Sequence, residues 1–407
     1  MEYIDRFAEG KFRLLNNMFQ AVLVCGPRQV GKTTMLKHIS EDNNRSYVTL
    51  DDLDDRALAL KDPKMFFQKY KPPIIIDEIQ FAPNLFSYIK IMADNHQKNG
   101  EFWLTGSQSY KVMRLASESL AGRIGIINMY SLTYQELAHN LEDLPTDFSF
   151  DTLNRLTNRP RLELNEVFSY IFKGGMPKCI GYTDEMRAEY FKSYIDTYLM
   201  KDIMELGKIT DAVRFKTFLT ACASQNTQVV NYANLALASD VSQPTAKEWL
   251  SLLQGIGIVY LVQPYFCNAL KRLTKTPKLY FYDTGLCAYL AKIPSKDMLM
   301  SSSFNGAYFE NFVMNQLMIK NQLSSHESNI YFYRDIDKNE VDILLEDGEG
   351  IVPLEVKLSA NPNKRGIEKF KVLEKLNRKI KDGGIVCLID SVYPISEQHS
   401  LIPVGLI

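Results

Sequence analysis

Eight consecutive residues, Gly26-Pro27-Arg28-Gln29-Val30-Gly31-Lys32-Thr33, constrain this chain more than any other stretch. Two glycines separated by four residues stand ahead of Lys and Thr, the pattern of a phosphate-binding loop (Walker A). The flanks agree. The apolar run Ala21-Val22-Leu23-Val24-Cys25 reads as a buried strand, and Thr34 to His38 reads as the first turns of a helix. Glycine lets the backbone bend until its N–H groups converge on phosphate oxygens, and the helix N-terminus adds partial positive charge there. In such a loop Lys32 is expected at the β- and γ-phosphates, and the Thr33 hydroxyl on magnesium. A strand, this loop and a helix in succession commit the N-terminal region to an α/β design.

The rest of that design is legible downstream. Strand candidates are Tyr47–Leu50, Pro73–Ile76, Phe102–Thr105 and Ile124–Met129, with helical stretches between them. Alternating β and α segments predict a mostly parallel sheet, which binds ligands at the carboxyl ends of its strands. The third strand ends in Asp77-Glu78 (Walker B). Asp77 is the expected magnesium partner, because Mg²⁺ prefers hard oxygens and keeps several waters. Glu78 points to the other side of the strand and is placed to orient an attacking water. At the end of the fourth strand, Thr105 and Ser107 are candidates to touch the γ-phosphate or that water; the plainer reading is a polar turn. Ala121-Gly122-Arg123 opens the fifth strand. The Arg123 guanidinium could stabilise transition-state charge in its own site or in a neighbouring subunit's, or form an ordinary surface ion pair. Arg28 reads equally as a phosphate contact and as a solvated side chain.

At 407 residues the chain exceeds what one hydrophobic core usually serves, so two to four domains are expected. Net charge is −1, so no global field draws it to nucleic acid or membrane, and any DNA contact needs a local basic patch. Six cysteines lie far apart with no metal-ligand spacing, and read as free thiols in a reducing cytoplasm. No basic start leads into an apolar stretch, and no apolar run approaches the ~20 residues of a span, so no membrane association is expected.

Polar, acidic residues 142–147 suggest a boundary near 140. Glu185–Leu206 reads as one long amphipathic helix. Three short helices and a strand between Asp211 and Pro264 resemble a winged helix, with Pro244 suited to a first turn. Such a unit docks DNA or protein. From Asp211 to Lys275, Arg214, Lys216, Lys247, Lys271, Arg272 and Lys275 oppose Asp211, Asp240 and Glu248, a balance of 6 − 3 = +3.

Further on, Glu340–Leu345 and Ile351–Lys357 read as a hairpin turning at Asp347-Gly348. Glu355 and Lys357 share one face of their strand, Asp342 lies on the neighbouring strand, and Glu310 could join from a helix. Two carboxylates beside a lysine suit magnesium-dependent phosphodiester cleavage. Cross-strand ion pairs on a half-exposed hairpin are the plainer reading.

Together, Gly-Pro-Arg-Gln-Val-Gly-Lys-Thr-Thr at 26–34, Ile-Ile-Asp-Glu-Ile-Gln at 75–80, Leu-Thr-Gly-Ser at 104–107, Ala-Gly-Arg at 121–123, Tyr-Phe-Tyr-Asp-Thr-Gly-Leu at 280–286 and Leu-Glu-Val-Lys at 354–357 resemble one prokaryotic family. These are AAA-type P-loop ATPases fused to a C-terminal domain similar to a restriction-endonuclease core. The resemblance implies ATP and Mg²⁺ as cofactors, slow hydrolysis, and residues 26–34, Thr34 included, as the nucleotide cradle. It puts Asp342, Glu355 and Lys357 on the nuclease-like motif. The expected layout is an ATPase domain at 1–140, a helical lid at 141–210, a winged-helix-like domain at 211–276 and a restriction-endonuclease-like α/β domain at 277–407. Expected partners are ATP, DNA or another protein, and further copies of the chain. The expected role is a nucleotide-driven switch; an ATP-gated nuclease and a nucleotide-stabilised adaptor are the other two readings.

Overall fold

The computed structural model describes all residues except 1, 42–43, 108, 143, 146, 157–161, 206–208, 210, 267–274, 325–326, 336 and 338. Gln108, Cys267, Lys271 and Arg272 therefore lie outside the described residues. The chain forms two compact units. The first holds Met1–Leu132, Met176–Lys178 and Ser251–Ile258; the second holds Thr133–Gly175, Cys179–Leu250 and Val259–Ile407.

The first unit is built on five parallel strands: β1 (Ala21–Cys25), β2 (Ser46–Thr49), β3 (Ile74–Asp77), β4 (Phe102–Gly106) and β5 (Ile124–Asn128), in the order β2-β3-β4-β1-β5. β1, β3 and β4 are buried along their whole length, as strands covered on both faces require. Leu23, Ile76 and Leu104 share a core with Phe86 and Ile89 of the Leu85–His96 helix and Val112 of the Ser109–Ser119 helix. Phe12 of the Phe7–Met18 helix meets Trp103 edge-on, ring centroids 4.8 Å apart. Cys25 lies level with Gly106 of β4 and Asn128 of β5, and Thr49 lies level with Asp77. The carboxyl ends of the strands thus form one edge.

The second unit centres on an eight-stranded mixed sheet. Its strands are β6 (Val259–Pro264), β7 (Lys278–Phe281), β8 (Asn329–Arg334), β9 (Glu340–Glu346), β10 (Ile351–Lys357), β11 (Gly383–Cys387), β12 (Tyr393–Pro394) and β13 (His399–Pro403), in the order β12-β13-β11-β10-β9-β8-β6-β7. Helices Ala212–Ser224, Tyr232–Ala238 and Gln243–Gly255 precede an antiparallel β6–β7 hairpin. The 276/277 boundary expected from sequence falls inside that hairpin, and β6 also runs parallel to β8 at Gln263 and Pro264, joining the hairpin to the C-terminal strands.

The single helix expected over Glu185–Leu206 is interrupted. Asp184–Ser193 is α-helical, Tyr194–Leu199 is a π-helix, and Met200–Glu205 is α-helical again. Phe191, Ile195, Leu199 and Ile203 are all buried and recur every four residues. In a pure α-helix such a row drifts by about 40° per step, at 3.6 residues per turn. The wider π turn removes that drift and keeps the row on one side.

The long Asn305–Leu323 helix supplies polar groups to the end of β7. Asn315 Nδ2 donates to the Phe281 and Tyr282 carbonyls at 3.0 Å each, and Asn315 Oδ1 accepts from Tyr260 Oη at 2.7 Å and from Asn311 Nδ2 at 3.0 Å. Asn315→Leu strands these buried partners, so it should lower the unfolding free energy by roughly 2–4 kcal/mol. Urea denaturation measures this; a change within about 0.5 kcal/mol would mean that the network holds nothing together.

Candidate functional site

The loop after β1 can be followed atom by atom. Gly26 has φ 146°, and a Cβ there would overlap the Met129 carbonyl oxygen, so no other residue fits. Gly31, at φ 97°, caps the Lys32–Ser40 helix. The Lys32 ammonium is buried and donates to the carbonyls of Gly26 at 3.0 Å and Pro27 at 2.7 Å. Burial pulls its pKa below the usual lysine value, against the opposing pull of Glu78, Cys25 and Asp77. Pro27 and Val30 are buried, Arg28 and Gln29 are half-buried, and Thr34 is exposed on the first helical turn. The loop is braced by a residue that the sequence reading passed over. Buried Arg6 donates to Val30 O at 2.8 Å and to Tyr130 O at 2.7 Å, joining the loop to the segment after β5.

Asp77 collects the strand ends. Its Oδ1 accepts from Thr33 Oγ1 at 2.6 Å and Thr105 Oγ1 at 2.5 Å, and its Oδ2 accepts from Tyr47 Oη at 3.2 Å. Glu78 sits in the left-handed region at φ 57° and turns its carboxylate away from Asp77's partners. Its Oε2 accepts from Ser107 Oγ at 2.9 Å, Ser107 N at 3.3 Å and Gln80 Nε2. Burial by itself raises the Glu78 pKa; Lys32, the Gln80 and Ser107 hydrogen bonds and Arg28 outweigh it and hold the carboxyl below its ordinary value. Thr33, Asp77, Thr105, Glu78 and Ser107 are therefore gathered at one edge, along with Tyr47, which no motif flagged, and Gln80, which closes the 75–80 motif but had no role assigned to it.

Arg123 is elsewhere. It precedes β5, at the opposite end of the sheet, where it pairs with Asp94 and donates to Ala121 O at 3.0 Å. In a parallel sheet the residue before a strand and the residues after its neighbours stand at opposite edges, so Arg123 does not serve the loop of its own chain. The surface ion pair is what forms.

A second charged cluster lies in the other unit. Ile343 stands opposite Leu354, which brings Asp342 beside Glu355 and Val356, and Asp342 Oδ2 accepts from Val356 N at 2.9 Å. Glu355 is fully buried; its Oε1 meets Lys357 at 2.7 Å and Lys369 at 2.6 Å, while its Oε2 has no hydrogen-bond partner. Glu310 accepts from Lys278 at 3.1 Å and Tyr280 Oη at 2.6 Å, and Lys278 also pairs with Glu340 at 2.6 Å. Lys357 stands 3.9 Å from Asp342. Burial, then Glu310 and Glu355, push the Asp342 carboxyl up to about 7. Among the described residues no three acidic, His or Cys side chains gather closely enough to share a metal ion. Lys278 and Lys369 escaped the sequence reading because they come from other elements, and Tyr280 stood in the 280–286 motif with no role assigned to it.

Residues 18–138 match an AAA domain. Residues 164–297 and 305–407 match two domains of unknown function, DUF8612 and DUF4143, so the second match names no activity for the C-terminal strands. Two relatives, the uncharacterized proteins Mb2031c of Mycobacterium bovis and Rv2008c of Mycobacterium tuberculosis, are each 29% identical over 362 residues, covering 88% of this chain and 75% of their own. Among solved structures, the Walker-type ATPase PABY2304 of Pyrococcus abyssi aligns with a TM-score of 0.44 and 15% identity over 71% of this chain and 96% of its own. The RuvB Holliday junction branch migration motor of Thermotoga maritima aligns with a TM-score of 0.29 and 19% identity over 62% of this chain and 88% of its own. The AAA match and the loop geometry support an AAA-type P-loop ATPase module in the N-terminal unit. Among the described residues no helix is long and apolar enough to cross a membrane.

Two outcomes follow. Arg6→Ala leaves the Val30 and Tyr130 carbonyls without their buried donor and should cost roughly 2–4 kcal/mol of stability, read by chemical denaturation; an unchanged midpoint would remove Arg6 from the loop's support. Asp342 has a folded pKa above its unfolded one, so the stability it contributes is complete below about pH 4 and is lost as pH rises toward 7. Asp342→Asn should therefore become progressively more stable relative to the parent between pH 5 and pH 8. Unfolding curves that stay parallel over that range would contradict the raised pKa.

Proposed function

We propose that this chain binds Mg·ATP at residues 26–34 and hydrolyses it slowly, using the cycle as a switch that engages a partner. The observation that carries the reading is the meeting of the Thr33 hydroxyl with the Asp77 carboxylate, 2.6 Å apart, beside a buried lysine. Hydroxyl and carboxylate oxygens are the hard donors that Mg²⁺ takes, so Thr33 directly and Asp77 through water would hold the ion, which neutralises triphosphate charge when bound. Lys32 exchanges its two carbonyl partners for phosphate oxygens. Backbone N–H groups of the loop cradle the same oxygens. Thr105 and Ser107 carry the γ-phosphate contact to Asp77 and Glu78, and Glu78 orients the attacking water.

The three helices and β6–β7 hairpin have the order of a winged helix, and we assign partner engagement to them. Protein is favoured over DNA. Arg214 is already paired with Asp211 at 3.3 Å and Asp240 at 2.6 Å, and Lys216 with Asp196 at 2.5 Å, so part of the basic balance counted from sequence is spent locally. A DNA affinity that falls steeply with salt would reverse this preference.

The nuclease reading has one specific support, the partnerless Glu355 Oε2 beside Asp342 and Lys357. Against it, two lysines already neutralise Glu355, and the acids do not gather as a metal ligand set. Plasmid nicking with Mn²⁺ that survives Lys32→Ala but not Asp342→Ala would establish it.

For the leading reading, Mg·ATP should raise the melting temperature of the parent and not of Lys32→Ala. Glu78→Gln should keep that shift while phosphate release falls about 100-fold or more, the usual worth of a general base. A parent protein that shows neither a thermal shift nor calorimetric heat with Mg·ATP refutes the proposal.

A further inference from the structure

We propose that Gln80 is the positioning residue of the hydrolytic step, pinning one oxygen of Glu78 with Ser107 so that the other is presented to the water. This rests on reading Glu78 as the group that orients that water. Glu78 ends its strand with a left-handed turn, and Ile79–Phe81 follow as one turn of 3-10 helix, which swings the Gln80 side chain back alongside the carboxylate. Gln80 Nε2 donates to Glu78 Oε2 and, at 3.0 Å, contacts Ser107 Oγ, which itself donates to the same Oε2 at 2.9 Å. The Ser107 amide adds a third donor at 3.3 Å. All three converge on Oε2. Among the described residues none donates to Oε1, so that oxygen keeps its lone pairs for a water.

Two further features tie the arrangement to Gln80. Its carbonyl oxygen is buried without a hydrogen-bond partner, an arrangement that costs it the solvation it would have in water. Rotating the amide would relieve that oxygen only by setting it against Glu78 Oε2, acceptor against acceptor, so the donor must face the carboxylate. The end of β4 also makes room for this amide. A Cβ on Gly106 would stand 3.3 Å from Gln80 Oε1 and 3.0 Å from a Val112 methyl, tighter than such contacts normally run. Gln80 is 6% exposed, so its amide does not compete with solvent for Glu78. A carboxylate held by one oxygen loses rotational freedom about its last bond, and placement of this kind governs rate far more than binding.

The test compares the parent, Gln80→Met, Gln80→Glu, Glu78→Gln and the Gln80→Met/Glu78→Gln double variant of the full chain. Methionine fills the same volume without a donor; glutamate keeps the shape but places a second acceptor against Glu78. We expect kcat for phosphate release to fall about 10- to 100-fold in both Gln80 variants. The dissociation constant for a slowly hydrolysed ATP analogue with Mg²⁺ should stay within about twofold of the parent's. In the Glu78→Gln background Gln80→Met should cost nothing further, since residues that act through one group are not additive. Parental kcat in Gln80→Met, or a loss that appears in nucleotide affinity instead, overturns the assignment of Gln80 alone. A parent whose turnover equals that of Glu78→Gln overturns the reading of Glu78, and the role of Gln80 with it.

Discussion

The parallel register of β1 between β4 and β5 is the constraint on which the candidate site depends. It sets Cys25 level with Gly106 and Asn128, so that the chain leaves three neighbouring strands at one height. The loop must then turn directly above the strand ends, under a carbonyl that leaves no room for a Cβ at Gly26. Once that turn is made, Thr33 comes within reach of β3, and β4 delivers Thr105 and Ser107 to the two acids. Asp77 joins these pieces, accepting hydrogen bonds from the loop helix, from β4 and, through Tyr47, from β2. A slip of one residue in β3 would turn Asp77 to the other face of the sheet and dissolve the arrangement.

What was readable from sequence follows from how local each signal is. The loop was visible because glycine spacing, the lysine and the flanking strand and helix all fall within about twenty residues. Asp77 and Glu78 were visible because acids ending an apolar strand are a local pattern. Arg6 was not, since an arginine ahead of a helix looks the same whether or not its guanidinium reaches two carbonyls, one of them 124 residues away. The roles of Tyr47 and Gln80 were hidden for a different reason: Tyr47 reads as an ordinary strand residue, and Gln80 as the unassigned end of the 75–80 motif, until the sheet order brings each to the acids. Arg123 had three readings from sequence, and its place before the fifth strand sets it at the far edge of the parallel sheet, where the ion pair with Asp94 forms.

In the second unit, the β9–β10 hairpin, its turn and the acid spacing were legible, yet the chemistry of the cluster was not. Spacing along β10 puts Glu355 and Lys357 on one side, but it says nothing of Lys369, which shares the same carboxylate oxygen from a different element, or of Lys278, which bridges Glu310 and Glu340. Those lysines change the character of the site. A set of acids awaiting a cation and a set of acids already paired look alike in a one-dimensional pattern. They differ in solvation: an unpaired buried carboxylate is too costly to persist, so either a cation or a proton must accompany it. Here lysines serve Glu355 and Glu310, and Asp342, held between Glu310 and Glu355, keeps its proton to about pH 7.

The two clusters also differ in which sign of charge they are prepared to receive. At the loop, the buried Lys32 ammonium is met chiefly by neutral carbonyls, and its lowered pKa reflects burial that nearby acids only partly offset. An anion arriving there gains a charge-assisted partner and displaces only weak acceptors. At the second cluster each lysine lies on a carboxylate, so an arriving anion must first separate buried ion pairs, and an arriving cation must displace an ammonium already in place. On electrostatics alone, then, the N-terminal edge is the one poised to take a polyphosphate, and the C-terminal cluster holds itself closed until something separates its own pairs.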